Sequence, residues 1–327
     1  MKEKKKLFKN LQREMSLIVG LIGMIIIFSI ISPMFLTPQN LRDIVEQAVI
    51  FGLMGVGMTY VIITSGIDLS VGSIVALTGV SLSLMLVGGM NIALAIIITL
   101  IIGIVLGFIN GFLVAKMTLQ PFIATMGTMS LYRGIAYVIT GGYPISGIPT
   151  EYRNLVYGEI IPDSGIRGSI VILICFAIIA ALILRKTKFG SYVYALGGNQ
   201  EAARLSGIRI EWNKIKAYMV CAIGSTLAAI VLIGKLGAGE PTAADGYELD
   251  AIAAAAIGGT SMAGGRGTIL GTFIGAILFS ALKIGLIVSG VDSFWQYIAT
   301  GLVIIVAAYV EVAQSKIAAS SLKKKKA

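Results

Sequence analysis

Histidine is absent from this chain of 327 residues, and charged residues are scarce. Asp, Glu, Lys and Arg together make up 13% of the residues, about half the share of a typical soluble domain. This is too little charge to cover a water-facing surface, so the composition excludes soluble, disordered and fibrous proteins. The lack of histidine also removes the commonest general base and the commonest metal ligand.

Cysteine is nearly absent as well. The two cysteines, Cys175 and Cys221, each lie in an apolar run, and their spacing matches no metal-ligand motif. Free cysteine behaves as a small buried hydrophobe, so we predict that both side chains pack in the core. No metal site is predicted for this chain.

Apolar residues dominate instead, at 57% of the chain, and the mean hydropathy is +0.92. A membrane-spanning helix needs about 20 mostly apolar residues. Long stretches without charge supply ten such segments, and the eighth is short enough to be a half-helix. The sequence therefore predicts an all-α polytopic membrane protein. The predicted segments are 15–32, 44–64, 70–87, 91–115, 121–140, 168–185, 216–236, 250–263, 268–289 and 294–312.

Basic residues cluster at the two ends of the chain and in the loop 185–216, which fall on one side of the membrane if ten segments cross. Acidic residues, Asp163 among them, prevail in the loops on the other side. The positive-inside rule then predicts that both termini are cytoplasmic. This distribution also explains the net charge of +10 without nucleic-acid binding. We predict three parts: a basic tail 1–14, one transmembrane domain 15–312 with a cytoplasmic loop 186–215, and a basic tail 313–327.

Four ionisable residues lie inside or beside the predicted spans, where such groups are costly: Asp68, Arg133, Lys235 and Lys283. We interpret Asp68 first as a helix cap and second as a substrate contact. Arg133 and Lys283 are expected to snorkel or to pair with carbonyls. Proton-driven carriers usually need a chain of acidic or histidine side chains at depth, which is missing here.

Glycine is abundant, with 40 residues, and it clusters at 258–267. A tight turn with close helix packing explains this cluster better than phosphate binding does. No nucleotide-binding Gly-Lys-Ser/Thr motif is present, so we predict no ATPase site on this chain. Gly103, Gly107 and Gly111 share one helix face, which predicts a packing seam.

The two halves of the chain show a weak repeat. In each half, a short acidic stretch precedes a segment rich in small residues: 65–70 in the first half and 246–250 in the second. Helices broken at matching points of two halves are typical of a substrate path in transporters.

The cytoplasmic loop contains a stretch suited to binding a partner. Asn199 can cap a short helix that Gly207 ends, and the residues between them favour helix. Such a helix outside the membrane can fit a groove on a second protein. The alternative is a surface loop with a single helical turn.

Four stretches together resemble one known family: 64–73, 120–128, 197–208 and 246–265. They are similar to the permease subunits of ABC importers for monosaccharides, the ribose permeases above all. The stretches lie within residues 45–312, nearly the whole membrane region. The resemblance implies a transport subunit in a bacterial plasma (inner) membrane, and it leaves open other pentoses, galactose, autoinducer-2 and nucleosides.

The resemblance also implies partners. Such a permease pairs with a second copy, expected to be identical, and alternating access moves the sugar. It works with a cytoplasmic ATPase that binds ATP and magnesium, and with an extracytoplasmic sugar-binding protein; no cofactor is implied on this chain. The residues matching the family's ATPase-coupling helix are Asn199, Gln200, Glu201, Ala202, Ala203, Arg204, Leu205, Ser206 and Gly207.

A neutral sugar needs hydroxyls, amides and aromatic faces in its path rather than fixed charges. The candidates near apparent helix breaks are Asp68, Ser70, Ser73, Gln120, Phe122, Thr125, Thr128, Tyr247, Asp250, Thr260 and Ser261. Two other hypotheses remain: an ion-coupled secondary carrier that acts alone, and a structural membrane protein without transport.

Overall fold

The structure is a computed structural model that describes residues 2–161, 165–292, 294–306 and 309, with the backbone alone for residues 2–14 and 16. About three-quarters of this part of the chain is helical and almost none of it is strand, so the all-α prediction is confirmed. Two short strands, β1 (Ile145–Ser146) and β2 (Ala238–Gly239), pair antiparallel. The helices are α1 (Lys2–Ile31), α2 (Pro38–Ile63), α3 (Val71–Val87), α4 (Ile92–Ala115), α5 (Pro121–Thr140), α6 (Thr150–Tyr157), α7 (Gly168–Lys186), α8 (Lys188–Gly198), α9 (Gln200–Leu205), α10 (Ile210–Leu236), α11 (Tyr247–Ile257), α12 (Ile269–Val288) and α13 (Phe294–Val306).

Each predicted membrane segment corresponds to a helix. Helices α2, α4, α5, α7, α10 and α12 are long and apolar enough to span a membrane. Helix α3, helix α13 and the apolar part of α1, Leu17–Ile31, are shorter. The predicted half-helix is α11, whose 11 residues extend about 16 Å, roughly half of the hydrocarbon thickness.

Other elements differ from the sequence analysis. Residues 2–14, predicted as a separate tail, are the beginning of α1. Helices α6 and α8 and the β1–β2 pair were not predicted, since each is short and lies in a polar connection. The predicted tail 313–327 and Asp163 lie outside the described residues.

Helices α2 and α10 form the centre of the molecule. Every residue of α2 from Ala48 to Ile63 is buried. The two helices approach closely at Gly57, where an added Cβ would lie 2.9 Å from the Cα of Cys221. Cys221 is buried as predicted, but the prediction for Cys175 is wrong because its side chain is exposed on α7. An apolar run in a membrane protein does not distinguish a core-facing from a lipid-facing side chain.

Helix α4 packs against α10 through the predicted glycine seam. A Cβ on Gly107 would lie 2.6 Å from the Cβ of Ala222 and 2.7 Å from the carbonyl oxygen of Tyr218. A Cβ on Gly111 would lie 2.6 Å from the Cα of Ile215. The seam therefore sets the distance between the two helix backbones.

We expect Gly107→Ala to lower the free energy of unfolding by about 2 kcal/mol, because the added methyl group overpacks the α4–α10 contact. Thermal unfolding of the purified protein in detergent measures the change. Gly23→Ala in α1 is the matched control, since no described atom lies within 4 Å of its Cβ position. Equal unfolding temperatures for the two variants would contradict the role of the glycine seam in α4–α10 packing.

Two sets of contacts agree with the predicted alternation of sides. The β1–β2 pair brings together the connections that follow α5 and α10, which the crossing count assigns to one side. At the opposite ends of the helices, the Gly265 amide donates to the carbonyl oxygen of Ile63 at 2.8 Å, and α8 lies beside both. The crossing count of ten segments places these three segments together on the basic side.

Candidate functional site

The two predicted helix breaks face each other inside the bundle. One is the stretch 64–70 between α2 and α3, and the other leads into α11. A Cβ on Gly72 would overlap the carbonyl oxygen of Ala244 and lie 2.7 Å from Oε2 of Glu248. Ser65 and Ala244 both have positive φ angles, of 62° and 56°. Because non-glycine residues seldom adopt this conformation, packing must hold both breaks in place.

Asp68 is fully buried in the first break. Its Oδ1 accepts hydrogen bonds from the Ser70 amide at 3.0 Å and from the Ser70 hydroxyl at 2.6 Å. The Asn110 amide lies 3.3 Å from both carboxylate oxygens. The N-cap residue of α3 is Ser70, and no side chain caps this helix. The Asp68 carboxylate therefore closes the turn before α3 and connects it to α4, instead of capping the helix as predicted.

Asn110 and Tyr132 extend this network, and the sequence analysis missed both. The Tyr132 hydroxyl lies 3.1 Å from Oδ1 of Asn110 and 3.1 Å from the Leu106 carbonyl oxygen. Both side chains are buried. A lone asparagine in the middle of a strongly apolar segment was the available signal, since burying an amide is costly unless it is hydrogen-bonded.

Three further candidates lie near this network. Ser73 donates to the Ser70 carbonyl oxygen at 2.8 Å, and Thr125 reaches the Ile67 carbonyl oxygen at 3.4 Å. Thr128 donates to a carbonyl oxygen of its own helix at 3.2 Å. All three side chains are buried.

The second break contains an ion pair. Lys283 of α12 donates to Oδ2 of Asp250 at 2.6 Å, and the Asp250 side chain is 4% exposed. The ammonium lies 5.1 Å from the ring centre of Phe51, 5.4 Å from that of Phe279 and 6.0 Å from that of Tyr247. Lys283 was expected to snorkel or to contact carbonyls, but instead it joins α12 to α11.

A second ion network was not predicted, because Glu46 was not recognised as an intramembrane partner for Lys235. Glu46 of α2 pairs with Arg167, and its Oε2 lies 3.2 Å from Nζ of Lys235 in α10. Arg167 also lies over the ring of Tyr157 at 4.5 Å. The network joins α2, α10 and the chain entering α7.

Arg133 pairs with carbonyls, as predicted. Its Nη1 donates to the carbonyl oxygens of Pro241 at 2.8 Å and Ala243 at 2.7 Å. Arg133 thereby connects α5 to the segment that leads into α11.

The remaining candidates lie elsewhere. Thr260 contacts Thr272 of α12 at 3.4 Å between hydroxyl oxygens, and Ser261 is half-buried in the loop after α11. Gln120 and Phe122 are exposed at the start of α5, where 53% of Phe122 is accessible. The candidates thus divide into a buried group that holds the breaks and a smaller accessible group.

The coupling-like stretch folds as predicted into the short helix α9. The Asn199 side chain accepts from the Ala202 amide at 2.9 Å, and Gly207 ends the turn with a φ of 78°. Ala203 is buried in a small core that holds α9 to its neighbours. Leu205, in contrast, is 86% exposed. Helix α9 therefore presents an apolar side chain on its accessible face.

Helix α8 carries a half-buried phenol, Tyr194, in the same loop region as α9. The Tyr194 hydroxyl donates to the Gly267 carbonyl oxygen at 2.7 Å. Burial raises the pKa of this hydroxyl, and Arg185 nearby partly offsets the effect. The hydroxyl therefore remains a donor over the physiological pH range.

Taken together, these side chains offer hydroxyls, amides and paired charges. In the part of the chain that the structure describes, no three His, Cys, Asp or Glu side chains come together as a metal-ligand group. Such an arrangement suits the passage of a polar uncharged solute between the two helix breaks.

Comparisons with known proteins agree with this chemistry. Residues 40–308 match the family described as branched-chain amino acid transport system, permease component. The ribose import permease protein RbsC of Bacillus subtilis is 43% identical over 300 residues, 92% of this chain and 93% of the relative. RbsC of Escherichia coli K12 is 42% identical over 91% of this chain and 93% of the relative. The galactose/methyl galactoside import permease protein MglC of Haemophilus influenzae is 35% identical over 94% and 96%. No solved structure matches.

Proposed function

The chain belongs to this family of transport permeases, and from that membership we propose that it is the membrane subunit of an ATP-driven importer for ribose. It is a multi-pass membrane protein and a transport subunit rather than an enzyme. The observation that carries the proposal is the identity of 42–43% with ribose import permeases of two distant bacteria over more than nine-tenths of the chain. The relative named for galactose is less similar, at 35% identity.

Membership implies two kinds of partner, an ATPase and a substrate-binding protein. We propose that the ATPase lies on the cytoplasmic side and binds ATP and magnesium there, and that it receives α9 in a groove. The capped helix with its exposed Leu205 supports this assignment. We further propose that the membrane is the bacterial inner membrane and that both termini are cytoplasmic, since the basic residues cluster on that side.

We propose a homodimer in which the exposed face of α5 lines the path against the second copy. Helices α4 and α5 have the same buried share, 28%, yet α4 is the most apolar of the six long spans and α5 the least. The exposed face of α5 includes Gly127, Ser130 and Gly134, which gain little from contact with lipid. Gln120 and Phe122 begin this face and are the candidates for contact with the sugar.

Co-purification from native membranes in mild detergent tests the proposal. We expect mass spectrometry to identify an ATPase and a binding protein with the permease, and the sugar released from that binding protein to be ribose. Uptake of labelled ribose by the reconstituted complex should require ATP. Recovery of the permease alone from several detergents, together with uptake driven by an ion gradient, would instead establish a secondary carrier.

The coupling assignment of α9 has its own test. We expect Glu201→Lys to reduce ribose-stimulated ATP hydrolysis by about tenfold, because it reverses a charge on the exposed face that meets the ATPase. Glu151→Lys is the matched control, since Glu151 is exposed in the first turn of α6 on the opposite side. An equal effect of both substitutions, or no effect of either, would contradict the coupling role.

A further inference from the structure

Three segments meet at a glycine contact beneath α9. The end of α8, the end of α2 and the loop 258–268 between α11 and α12 converge there; we name this contact the junction. A Cβ on Gly197 would overlap the carbonyl oxygen of Ile63 and the amide nitrogen of Gly265. Because both atoms belong to backbone, no side-chain adjustment can make room for a larger residue.

Hydrogen bonds reinforce the junction. The Gly265 amide donates to the Ile63 carbonyl oxygen at 2.8 Å, and the Ser65 hydroxyl donates to the Ala263 carbonyl oxygen at 2.9 Å. The Tyr194 hydroxyl donates from α8 to the Gly267 carbonyl oxygen at 2.7 Å. The loop is therefore attached both to the break that follows α2 and to α8.

The loop is itself compact. Gly264 and Gly265 have φ angles of 88° and 72°, values that favour glycine. The amides of Ser261 and Gly264 donate within the loop to the carbonyl oxygens of Arg266 and Ser261, each at 2.9 Å. A loop closed in this way transmits a displacement instead of absorbing it.

Helix α11 connects the loop to the second break. Its C-terminal end packs tightly on α12, since a Cβ on Gly258 would overlap the Gly271 carbonyl oxygen. Its first turn contains Tyr247, Glu248 and Asp250. One rigid helix of about 16 Å therefore separates the junction from the polar centre of the bundle.

We propose that the junction transmits movement of α9 to α11, with Gly197 as the positioning residue. This inference rests on the proposed function. A displacement of α8 and α9 by the ATPase shifts the loop through the Gly197 contact and the Tyr194 hydrogen bond. The loop then moves α11, and with it the second helix break, which precedes the first turn of α11. The glycine-rich run 258–267 thus has a role in coupling besides forming a turn.

The experiment compares Gly197→Ala with Gly198→Ala in the assembled complex. No described atom lies within 4 Å of a Cβ on Gly198, so this neighbour is a matched control. We expect Gly197→Ala to lower the ratio of ribose-stimulated to basal ATP hydrolysis by about fivefold or more, and Gly198→Ala to leave it unchanged. Co-purification with the ATPase should persist in both variants.

A second pair of substitutions, which change less volume, tests the junction in case Gly197→Ala fails to fold. Tyr194→Phe removes one hydrogen bond across the junction, whereas Tyr192→Phe changes a ring that faces the start of α10. We expect Tyr194→Phe to lower the stimulated ratio and Tyr192→Phe to leave it unchanged. If Gly197→Ala and Tyr194→Phe both keep the wild-type ratio of ribose-stimulated to basal ATP hydrolysis, the proposed coupling role of the junction is wrong. A wild-type complex without ribose-stimulated hydrolysis instead overturns the proposed function.

Discussion

Lys283→Met is expected to lower the free energy of unfolding by about 3 kcal/mol or more, because it leaves the Asp250 carboxylate buried without a partner. In the native structure the two groups are 2.6 Å apart, and three aromatic rings surround the ammonium. Methionine has a similar length and keeps the ring contacts. Thermal or denaturant unfolding in detergent measures the loss, and ribose uptake should fall with it.

Two further variants separate charge from packing. Asp250→Asn combined with Lys283→Met removes both charges, and we expect it to restore most of the stability and the uptake. Lys235→Met is the control for a single lost cation, since Glu46 keeps Arg167 as its partner and the loss should be about 1 kcal/mol or less. A stable double variant without uptake would show that the Asp250–Lys283 pair has a role in transport beyond stability.

The second large effect is expected at Asp68. Asp68→Ala removes the acceptor of the Ser70 amide and of the Ser70 hydroxyl within the protein interior, whereas the Asn110 amide keeps the Ser70 hydroxyl oxygen as an acceptor at 2.6 Å. Leaving these two buried donors without an acceptor costs about 3 kcal/mol in total, and the turn before α3 loses the hydrogen bonds that close it. We expect lower unfolding temperatures and loss of uptake.

Asp68→Asn is the matched control, because its side-chain oxygen still accepts from Ser70. We expect it to retain most of the stability, with a loss of about 1 kcal/mol. If Asp68→Asn is as stable as the wild type but does not take up ribose, the Asp68 carboxylate has a role in transport beyond stabilising the turn before α3. If Asp68→Ala is as stable as the wild type, the role of Asp68 in closing the turn before α3 is wrong.

Much of the fold follows from the order of residues. All ten segments correspond to helices, and the half-helix α11 was anticipated from its shortness. The α9 cap at Asn199 and the stop at Gly207 were predicted because both depend on neighbours along the chain. The exposure of Cys175 was not predicted, because a lipid-facing and a core-facing residue have the same apolar character.

The candidate site was predicted less completely. The sequence identified the two helix breaks, and the structure places them face to face at Gly72 and Ala244. Asn110 and Tyr132 were missed, since their importance depends on Asp68, which is distant in sequence. Whether the predicted path residues contact the sugar remains a prediction.

The class of protein, the helical segments and the charge asymmetry follow from the order of residues alone, because hydropathy, capping and the distribution of lysine and arginine are local properties. The tertiary structure decided which charges pair, as in Asp250 with Lys283, and why Gly197 must be glycine. These depend on distances of a few ångströms between segments far apart along the chain, and only the packing of the helices sets such distances.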